Sequence, residues 1–335
     1  MSLTLDGMEL GTLFLSPMAG ITDSVYRRLC RSMGADTLYT GFISSDGIVR
    51  NNKRTLGMLS FTEEEHPIAI QLFGNSPEII AAAAVRAWEM RPDFIDINFG
   101  CPARKVIKKV AGCAILNDMV LYRDVVTAVV ASIPCPVTVK IRSGWDRSNL
   151  VYIDAAQIAA EEGARAVAFH PRTGVQGYTG EADWDMIGHL VRESPIPVIG
   201  SGDIFDPDDI LRMLETTGCS AVMVARGAIG NPWIFSRTKR YLESGELPPQ
   251  PVVEEKLDVA LIHARSNVEE KGEVRGMREI RKHMSHYTKG LWCGSRLRHA
   301  IIKTESLEAM EEITARYLEM LANYRKGEDL CTNLI

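Results

Sequence analysis

The sequence predicts an α/β protein, a (β/α)8 TIM barrel followed by a small all-helical C-terminal domain. Eight short apolar, β-favouring runs alternate with helical patterns from Leu13 to about residue 240, which is the element order of such a barrel. No Gly-x-Gly-x-x-Gly turn follows the first run, although a doubly wound dinucleotide-binding sheet would require one. Three prolines within Pro248–Pro251 then interrupt the pattern, as a stiff connector does.

Each predicted strand is a short run of β-branched, aromatic or aliphatic residues that ends at glycine, proline or polar residues. The eight predicted strands are Leu13–Ser16, Thr37–Thr40, Pro67–Phe73, Asp93–Ile97, Pro136–Ile141, Ala166–His170, Pro197–Gly200 and Ala221–Ala225.

Capping signals predict where the helices between these strands begin. Thr22-Asp23 precedes a helix that runs to about Met33, and we expect Arg27, Arg28 and Arg31 on its outer side. Ser76-Pro77 opens the next helix, with proline in the first turn. Further barrel helices are predicted over Met119–Ser132, Ile153–Glu162, Trp184–Arg192 and Pro207–Thr216.

These patterns divide the chain into three parts. Residues 1–244 form the predicted barrel and catalytic domain, residues 245–252 a proline-rich linker, and residues 253–335 a helical domain. Within the last part, helices are predicted over Val253–Lys271, Glu273–Tyr287 and Ser306–Arg325.

Composition narrows the class of protein. Apolar residues make up 46% and charged residues 24% of the chain, as in soluble globular proteins. No apolar run could span a bilayer, and the N-terminus lacks the pattern of a secretory signal. Seven cysteines without a Cys-x-x-Cys pair predict reduced thiols and no metal site. We therefore expect a cytoplasmic protein without membrane or metal, and a monomer.

Charge is unevenly distributed along the chain. The net charge is −5, but Lys271–Lys303 contains nine Lys or Arg residues against two Glu. Such segregation favours a polyanionic partner for the helical domain.

Polar residues gather where the predicted strands end. In a barrel these ends share one mouth, so residues far apart in sequence converge there. The candidates are Ser16-Pro17, Gln71, Asn98 with Cys101, Lys140 with Arg142, His170 with Arg172, Ser201-Gly202-Asp203 and Ala225-Arg226-Gly227.

Glycine-containing turns after the seventh and eighth strands predict a phosphate site, since each turn precedes a helix. Two ordinary strand-to-helix turns are the alternative.

Lys140 points either into the mouth, toward an anion, or outward with its ammonium in water. His170 and Gln71 could bind the polar edge of a ring, and a satisfied core histidine is the alternative for His170. Together these residues suggest a phosphorylated flat cofactor such as FMN. Cys101 is either reactive or a small buried hydrophobe.

The ordered motifs resemble those of the bacterial tRNA-dihydrouridine synthases, FMN-dependent enzymes. The resemblance covers the barrel, and the helical tail matches more loosely. The motifs are Ser16–Asp23, Asp96–Pro102, Val139–Trp145, His170–Thr173, Gly177–Trp184, Ser201–Ile204, Arg226–Ala228 and Gly230–Phe235.

This resemblance implies reduction of the carbon 5–carbon 6 bond of uridine in tRNA, with FMN as cofactor and NADPH or NADH as reductant. Cys101 would be the general acid. Contacts with tRNA are expected from Asn98, Arg104, Lys105, Arg172, Tyr178, Arg281 and Lys282. FMN would be held by Pro17, Met18, Ala19, Gln71, Lys140, His170, Ser201, Gly202, Asp203, Ala225 and Arg226.

Three positions depart from the family pattern. Gly41 replaces a usual Glu after the second strand, Ser201 replaces a frequent Asn, and Ala225 replaces a frequent Gly. Only the first change removes a charge. Two alternatives stay open: an FMN barrel oxidoreductase acting on a small molecule, since fold alone does not fix function, and a non-catalytic RNA-binding relative, which the change at Gly41 motivates.

Overall fold

The computed structural model describes residues 2–327 and divides the chain into two compact units. The first contains residues up to Arg226 together with Ile234–Lys239. The second contains Gly227–Trp233 and the chain from Arg240 onward.

The first unit is built on a nearly closed parallel barrel. The strands of the described residues are β1 Leu3–Leu5, β2 Met8–Gly11, β3 Leu13–Leu15, β4 Leu38–Tyr39, β5 Ile43–Ser44, β6 Ile68–Phe73, β7 Phe94–Phe99, β8 Val137–Arg142, β9 Ala166–His170, β10 Val198–Ser201 and β11 Ala221–Val224. The barrel strands lie in the order β3, β11, β10, β9, β8, β7, β6, β4, and Phe14 pairs with Thr37 beside β4 to bring the two ends of the sheet together. All eight predicted barrel strands are present, so the fold class is confirmed.

Helices follow most of these strands, and the predicted ones lie within a few residues of their expected bounds. Asp23 caps α1 through Tyr26 N–H, and Ser76 caps α4 through Ile79 N–H. The helices up to residue 244 are α1 Ser24–Ser32, α2 Ser45–Val49, α3 Lys53–Leu56, α4 Pro77–Trp88, α5 Arg104–Ile107, α6 Met119–Ser132, α7 Tyr152–Glu161, α8 Trp184–Glu193, α9 Pro207–Thr217 and α10 Ile234–Ser244.

The N-terminal β1–β2 hairpin was not predicted. Leu3, Leu5 and Leu10 from this hairpin are buried in one apolar cluster with residues of the barrel interior such as Phe14 and Phe94. The turn between the strands is Asp6-Gly7, with both φ angles positive. An Asp-Gly turn between alternating apolar residues is a hairpin signal, so this element could have been read from the sequence.

The expected outward position of Arg27 is wrong. Its side chain is buried on α1 and donates from Nε to Glu65 at 2.5 Å and from Nη1 to the Thr22 carbonyl at 2.8 Å. A guanidinium can be buried in this way because the carboxylate and carbonyl replace its water partners.

The second unit is helical. Its helices after α10 are α11 Val253–Lys271, α12 Glu273–Tyr287, α13 Gly294–Lys303 and α14 Leu307–Arg325. Three of these were predicted, whereas α13 was missed because its sequence is basic and starts at glycine. No helix among the described residues has the length and apolarity to cross a membrane.

Candidate active site

A cleft of about 780 Å³, open mouth included, lies at the carboxyl end of the barrel. Residues from strands distant in sequence converge on it, as predicted. The lining residues are Ser16, Pro17, Met18, Phe42, Asn98, Gly100, Cys101, Pro102, Lys140, Arg142, His170, Tyr178, Ser201, Gly202, Asp203, Ile204, Phe205, Met223, Ala225 and Arg226.

A chain of hydrogen bonds beneath the cleft supports the Cys101 loop. Asp96 accepts from Thr138 Oγ1 at 2.5 Å and from Gln71 Nε2 at 2.7 Å. Gln71 Oε1 accepts from Asn98 Nδ2 at 2.8 Å, and Asn98 Oδ1 accepts from Cys101 N–H at 2.9 Å. Because every link is buried, the side chain of Asn98 is fixed and in turn fixes the backbone of Cys101.

Strand register creates this chain. Gln71 on β6 is paired with Asp96 on β7, and Asp96 is paired with Thr138 on β8, so their side chains are neighbours across the sheet. Burial raises the pKa of Asp96 to about 7, since a desolvated carboxylate resists ionisation. Sequence reasoning missed Asp96, although an aspartate inside an otherwise apolar strand was a visible signal.

Cys101 reaches the cleft as a nearly buried thiol. It is 8% exposed and packs in one cluster with Val106, Ala111 and, at the edge, Phe42. Burial raises its pKa above the ordinary value, so the side chain is a thiol at neutral pH and retains a proton to donate. The next turn requires glycine: Gly112 has φ +62°, and a Cβ there would lie 2.6 Å from the Cys101 carbonyl oxygen.

Basic side chains dominate the charge of the cleft. Lys140, Arg142 and Arg226 line it together with His170, and Asp203 is the acidic residue in its wall. Burial, and then the positive charge of Arg142, lower the pKa of Lys140 to about 8. Burial and the surrounding cations also lower the pKa of His170 well below its usual range. The imidazole is therefore neutral, and the cleft favours an anionic ligand.

Arg142, which the sequence grouped with Lys140 at a strand end without assigning it a role, joins two loops. Its Nε donates to the Gly100 carbonyl at 2.7 Å, and its Nη1 donates to the carbonyls of Thr173 at 2.9 Å and Gly177 at 2.7 Å. Arg142 lies two residues beyond Lys140 on β8, and side chains two residues apart on a strand face the same way.

Asp203 is held in a left-handed conformation, with φ +53°. It accepts two hydrogen bonds from Arg172, at 3.0 and 2.5 Å, one from Arg226 at 2.9 Å, and one from Ala182 N–H at 2.7 Å. Burial alone would raise the pKa of this carboxyl, but the hydrogen bonds from Arg172 and Ala182 and the two positive charges lower it below its ordinary value.

Arg172 lies outside the cleft wall. It is 1% exposed, and besides Asp203 it donates to the carbonyls of Thr179 and Gly180. The expected direct contact of Arg172 with tRNA stays a prediction. The residue fixes the loop that carries Tyr178.

The remaining predicted residues lie in several places. Ala19 is exposed next to the lining residue Met18, and Gln71 is buried below Asn98. Arg104 and Lys105 are exposed on α5, just after the Cys101 loop. In the second unit, Lys282 is exposed on α12. Its neighbour Arg281 is half-buried and donates to the Thr304 carbonyl at 2.9 Å.

Gly41 is not imposed by the backbone. A Cβ at this position would lie 3.7 Å from the Met18 carbonyl oxygen, 3.8 Å from Ala19 Cα and 3.9 Å from Thr22 Oγ1. These are ordinary van der Waals separations, so the local fold would accept a small side chain.

Comparison with known proteins identifies relatives along most of the chain. A family model described as dihydrouridine synthase matches residues 14–322. The chain is 40% identical over 275 residues to tRNA-dihydrouridine synthase B of Pseudomonas putida, covering 82% of each protein. It is 37% identical to a probable tRNA-dihydrouridine synthase of Mycobacterium tuberculosis, covering 89% of this chain and 79% of the relative.

Two solved structures resemble the fold. An old yellow enzyme homologue from Zymomonas mobilis matches with a TM-score of 0.54 at 13% identity, over 76% of this chain and 95% of that one. A histamine dehydrogenase from Rhizobium matches with a TM-score of 0.55 at 12% identity, over 85% of this chain and 50% of that one. Identities this low support the barrel fold alone.

Proposed function

Since the chain belongs to the dihydrouridine synthase family of oxidoreductases, we propose that it reduces specific uridines of tRNA to 5,6-dihydrouridine, with FMN as cofactor. The observation that carries this proposal is a nearly buried Cys101 thiol on a cleft whose charged side chains are mainly cationic.

The donor set around the cleft fits FMN. Gly202 has φ +121°, and a Cβ there would lie 2.9 Å from His170 Cδ2 and from Ala182 Cβ. The positive φ and the close contacts with His170 and Ala182 therefore require glycine in this turn. Ser201, Gly202 and Arg226 would hold the phosphate, with Asp203 fixing Arg226.

Other residues would hold the flavin ring of FMN. Lys140 and the neutral His170 would donate to its polar edge, Pro17, Met18 and Ala19 would pack beside it, and Gln71 would support it through Asn98. Bound FMN supplies a hydride, which it obtains from NADPH or NADH.

Cys101 supplies the proton. Addition of hydride to carbon 6 of uracil leaves negative charge over carbon 5 and its neighbouring carbonyl, so carbon 5 must be protonated. The Cys101 thiol gives that proton, and the resulting thiolate is stabilised by the positive charges of Arg142 and Lys140, both of which favour its ionised form. Asn98, fixed by Gln71, would position the uracil.

Exposed basic residues near the cleft suit an RNA backbone. Arg104 and Lys105 are exposed on α5 and Lys108 is exposed directly after it, while Lys53 and Arg54 are exposed on α3. A contact of 3.8 Å between Lys109 and Asp46 joins the α5 segment to α2, which precedes α3. Such a surface would bind phosphates in a salt-dependent way.

We assign residues 1–244 to catalysis and residues 253–335 to tRNA binding. In the helical unit, exposed basic residues on α12 and α13 include Arg278, Lys282 and Lys303. Because a stacked base within folded tRNA must be extruded before it reaches a cleft, contacts from both domains would stabilise the RNA. A tRNA substrate also implies action in the cytoplasm.

The test uses purified protein reconstituted with FMN, NADPH and an unmodified tRNA transcript. Mass spectrometry is expected to find dihydrouridine at defined positions, and a Cys101→Ala variant with normal flavin content is expected to form far less in the same time. A wild-type protein that oxidises NADPH but leaves each of a complete set of tRNA transcripts unmodified would reject the proposal.

A further inference from the structure

Four side chains alternate between guanidinium and aromatic ring at the rim of the cleft. Arg142 Cζ lies 5.3 Å from the centroid of the Tyr178 ring. Arg226 Cζ lies 5.0 Å from the Tyr178 ring and 5.6 Å from the Phe205 ring. Arg226 is therefore held between two aromatic rings, an arrangement that cation–π attraction stabilises.

The two rings are unusually accessible for their type. Tyr178 is 57% exposed and Phe205 is 50% exposed, although most large apolar side chains of this unit are buried. Exposed aromatic surface next to a polar cleft is a common sign of a binding site. Phe205 belongs to none of the residues that the motifs or their spacing pointed to.

The surrounding contacts fix this stack in place. Asp203 accepts from Arg226 at 2.9 Å and is itself held by Arg172. Phe205 N–H donates to Asp209 at 2.9 Å. Arg142 donates to the carbonyls of Thr173 and Gly177, which precede Tyr178 in the same loop. The rings are therefore presented before any ligand arrives, which lowers the entropy cost of binding.

We propose that Phe205, together with Tyr178, forms a stacking platform for unpaired RNA bases that flank the uridine entering the cleft. This inference rests on the proposed function. Extruding one base leaves its neighbours without a stacking partner, and alternating aromatic rings and guanidinium groups are the usual surface for single-stranded nucleic acid.

RNA fits this platform better than the nicotinamide dinucleotide does. The nicotinamide ring must enter the cleft to transfer its hydride. The adenine is then the one ring of the dinucleotide that could stack at the rim, whereas the rim offers two half-exposed aromatic rings. Successive bases of an RNA strand could use both rings.

The experiment compares Phe205→Ala, Phe205→Leu and Phe205→Trp in the flavin-loaded protein. Dissociation constants for an unmodified tRNA transcript are measured by titration, and the KM for NADPH is measured from flavin reduction. Phe205→Ala and Phe205→Leu are expected to weaken tRNA binding about 5- to 150-fold, which corresponds to about 1–3 kcal/mol for one stacked base. Phe205→Trp is expected to retain wild-type affinity.

Met90→Ala is the matched control, because Met90 is 43% exposed and precedes β7 at the opposite end of the barrel. Equal tRNA affinity in all four variants would overturn the platform, as would full affinity in Phe205→Leu, since leucine is apolar but cannot stack. A rise in the KM for NADPH without loss of tRNA affinity would assign the rim to the dinucleotide. If the wild-type protein neither binds nor reduces tRNA, the proposed function itself has failed.

Discussion

Replacing Asp96 by Asn is expected to remove a pH dependence from the stability of the barrel. The carboxyl is fully buried, and burial raises its pKa from an ordinary 3.8 to about 7. Between these two values the folded protein binds a proton that the unfolded chain has released. Folding stability therefore falls as pH rises through this window, and the full penalty is present above pH 7.

The size of the effect follows from the shift. Holding the charged carboxylate of Asp96 in the barrel costs about 4 kcal/mol of unfolding free energy above pH 7. Asparagine can keep both hydrogen bonds, with its oxygen facing Gln71 and its amide facing the Thr138 hydroxyl, which can rotate to accept. We expect the stability of wild type minus that of Asp96→Asn to fall by about 2–3 kcal/mol between pH 5 and pH 8.

Urea unfolding followed by tryptophan fluorescence at several pH values measures this difference. Asp154→Asn, on the exposed side of α7, removes a carboxylate at the surface and is the control. A difference between wild type and Asp96→Asn that stays constant from pH 5 to pH 8 would refute the reasoning, since it would mean that Asp96 has the same proton affinity in both states.

Three further substitutions test the site and its surroundings. Cys101→Ala is expected to slow tRNA reduction by about 10²- to 10⁴-fold in single-turnover assays while flavin is still reduced by NADPH. Cys135→Ala is the control, and equal rates in both variants would exclude Cys101 as the acid. Replacing Arg278 and Lys282 by Ala is expected to lower the slope of log affinity for tRNA against log salt by about 1.4, and an unchanged slope would mean that neither contacts phosphate. Gly41→Ala is expected to change the free energy of unfolding by less than about 1 kcal/mol, because its Cβ meets only ordinary contacts; a larger loss would show that the glycine is required by the fold.

The sequence was sufficient for the barrel and for most of the cleft wall. Parallel strands of a barrel bring their carboxyl ends to one face. Residues such as Asn98, Lys140 and His170 could therefore be predicted to share one site, even though the order of the strands in the sheet was not known. The same reasoning found Cys101 and the glycine-containing turns at Ser201 and Ala225.

Features that depend on strand register and side-chain direction could not be predicted from the sequence. Asp96 meets Gln71 and Thr138 only because β6, β7 and β8 are aligned at those residues. Arg172 lies two residues after β9, which ends at the cleft residue His170, yet its guanidinium turns toward Asp203. No periodicity in the sequence distinguishes a buried arginine of this kind from one that faces a ligand.

The β1–β2 hairpin has a practical consequence for anyone who wishes to modify this protein. Its buried leucines Leu3, Leu5 and Leu10 share a cluster with Phe14 and Phe94, and burying each leucine is worth about 1.5–3 kcal/mol. A truncated chain that begins at Thr12 would expose the apolar residues at that end of the barrel to water. We expect it to lose solubility even if the cleft at the other end is unchanged. Affinity tags at the N-terminus therefore need a spacer that leaves Leu3 free to pack.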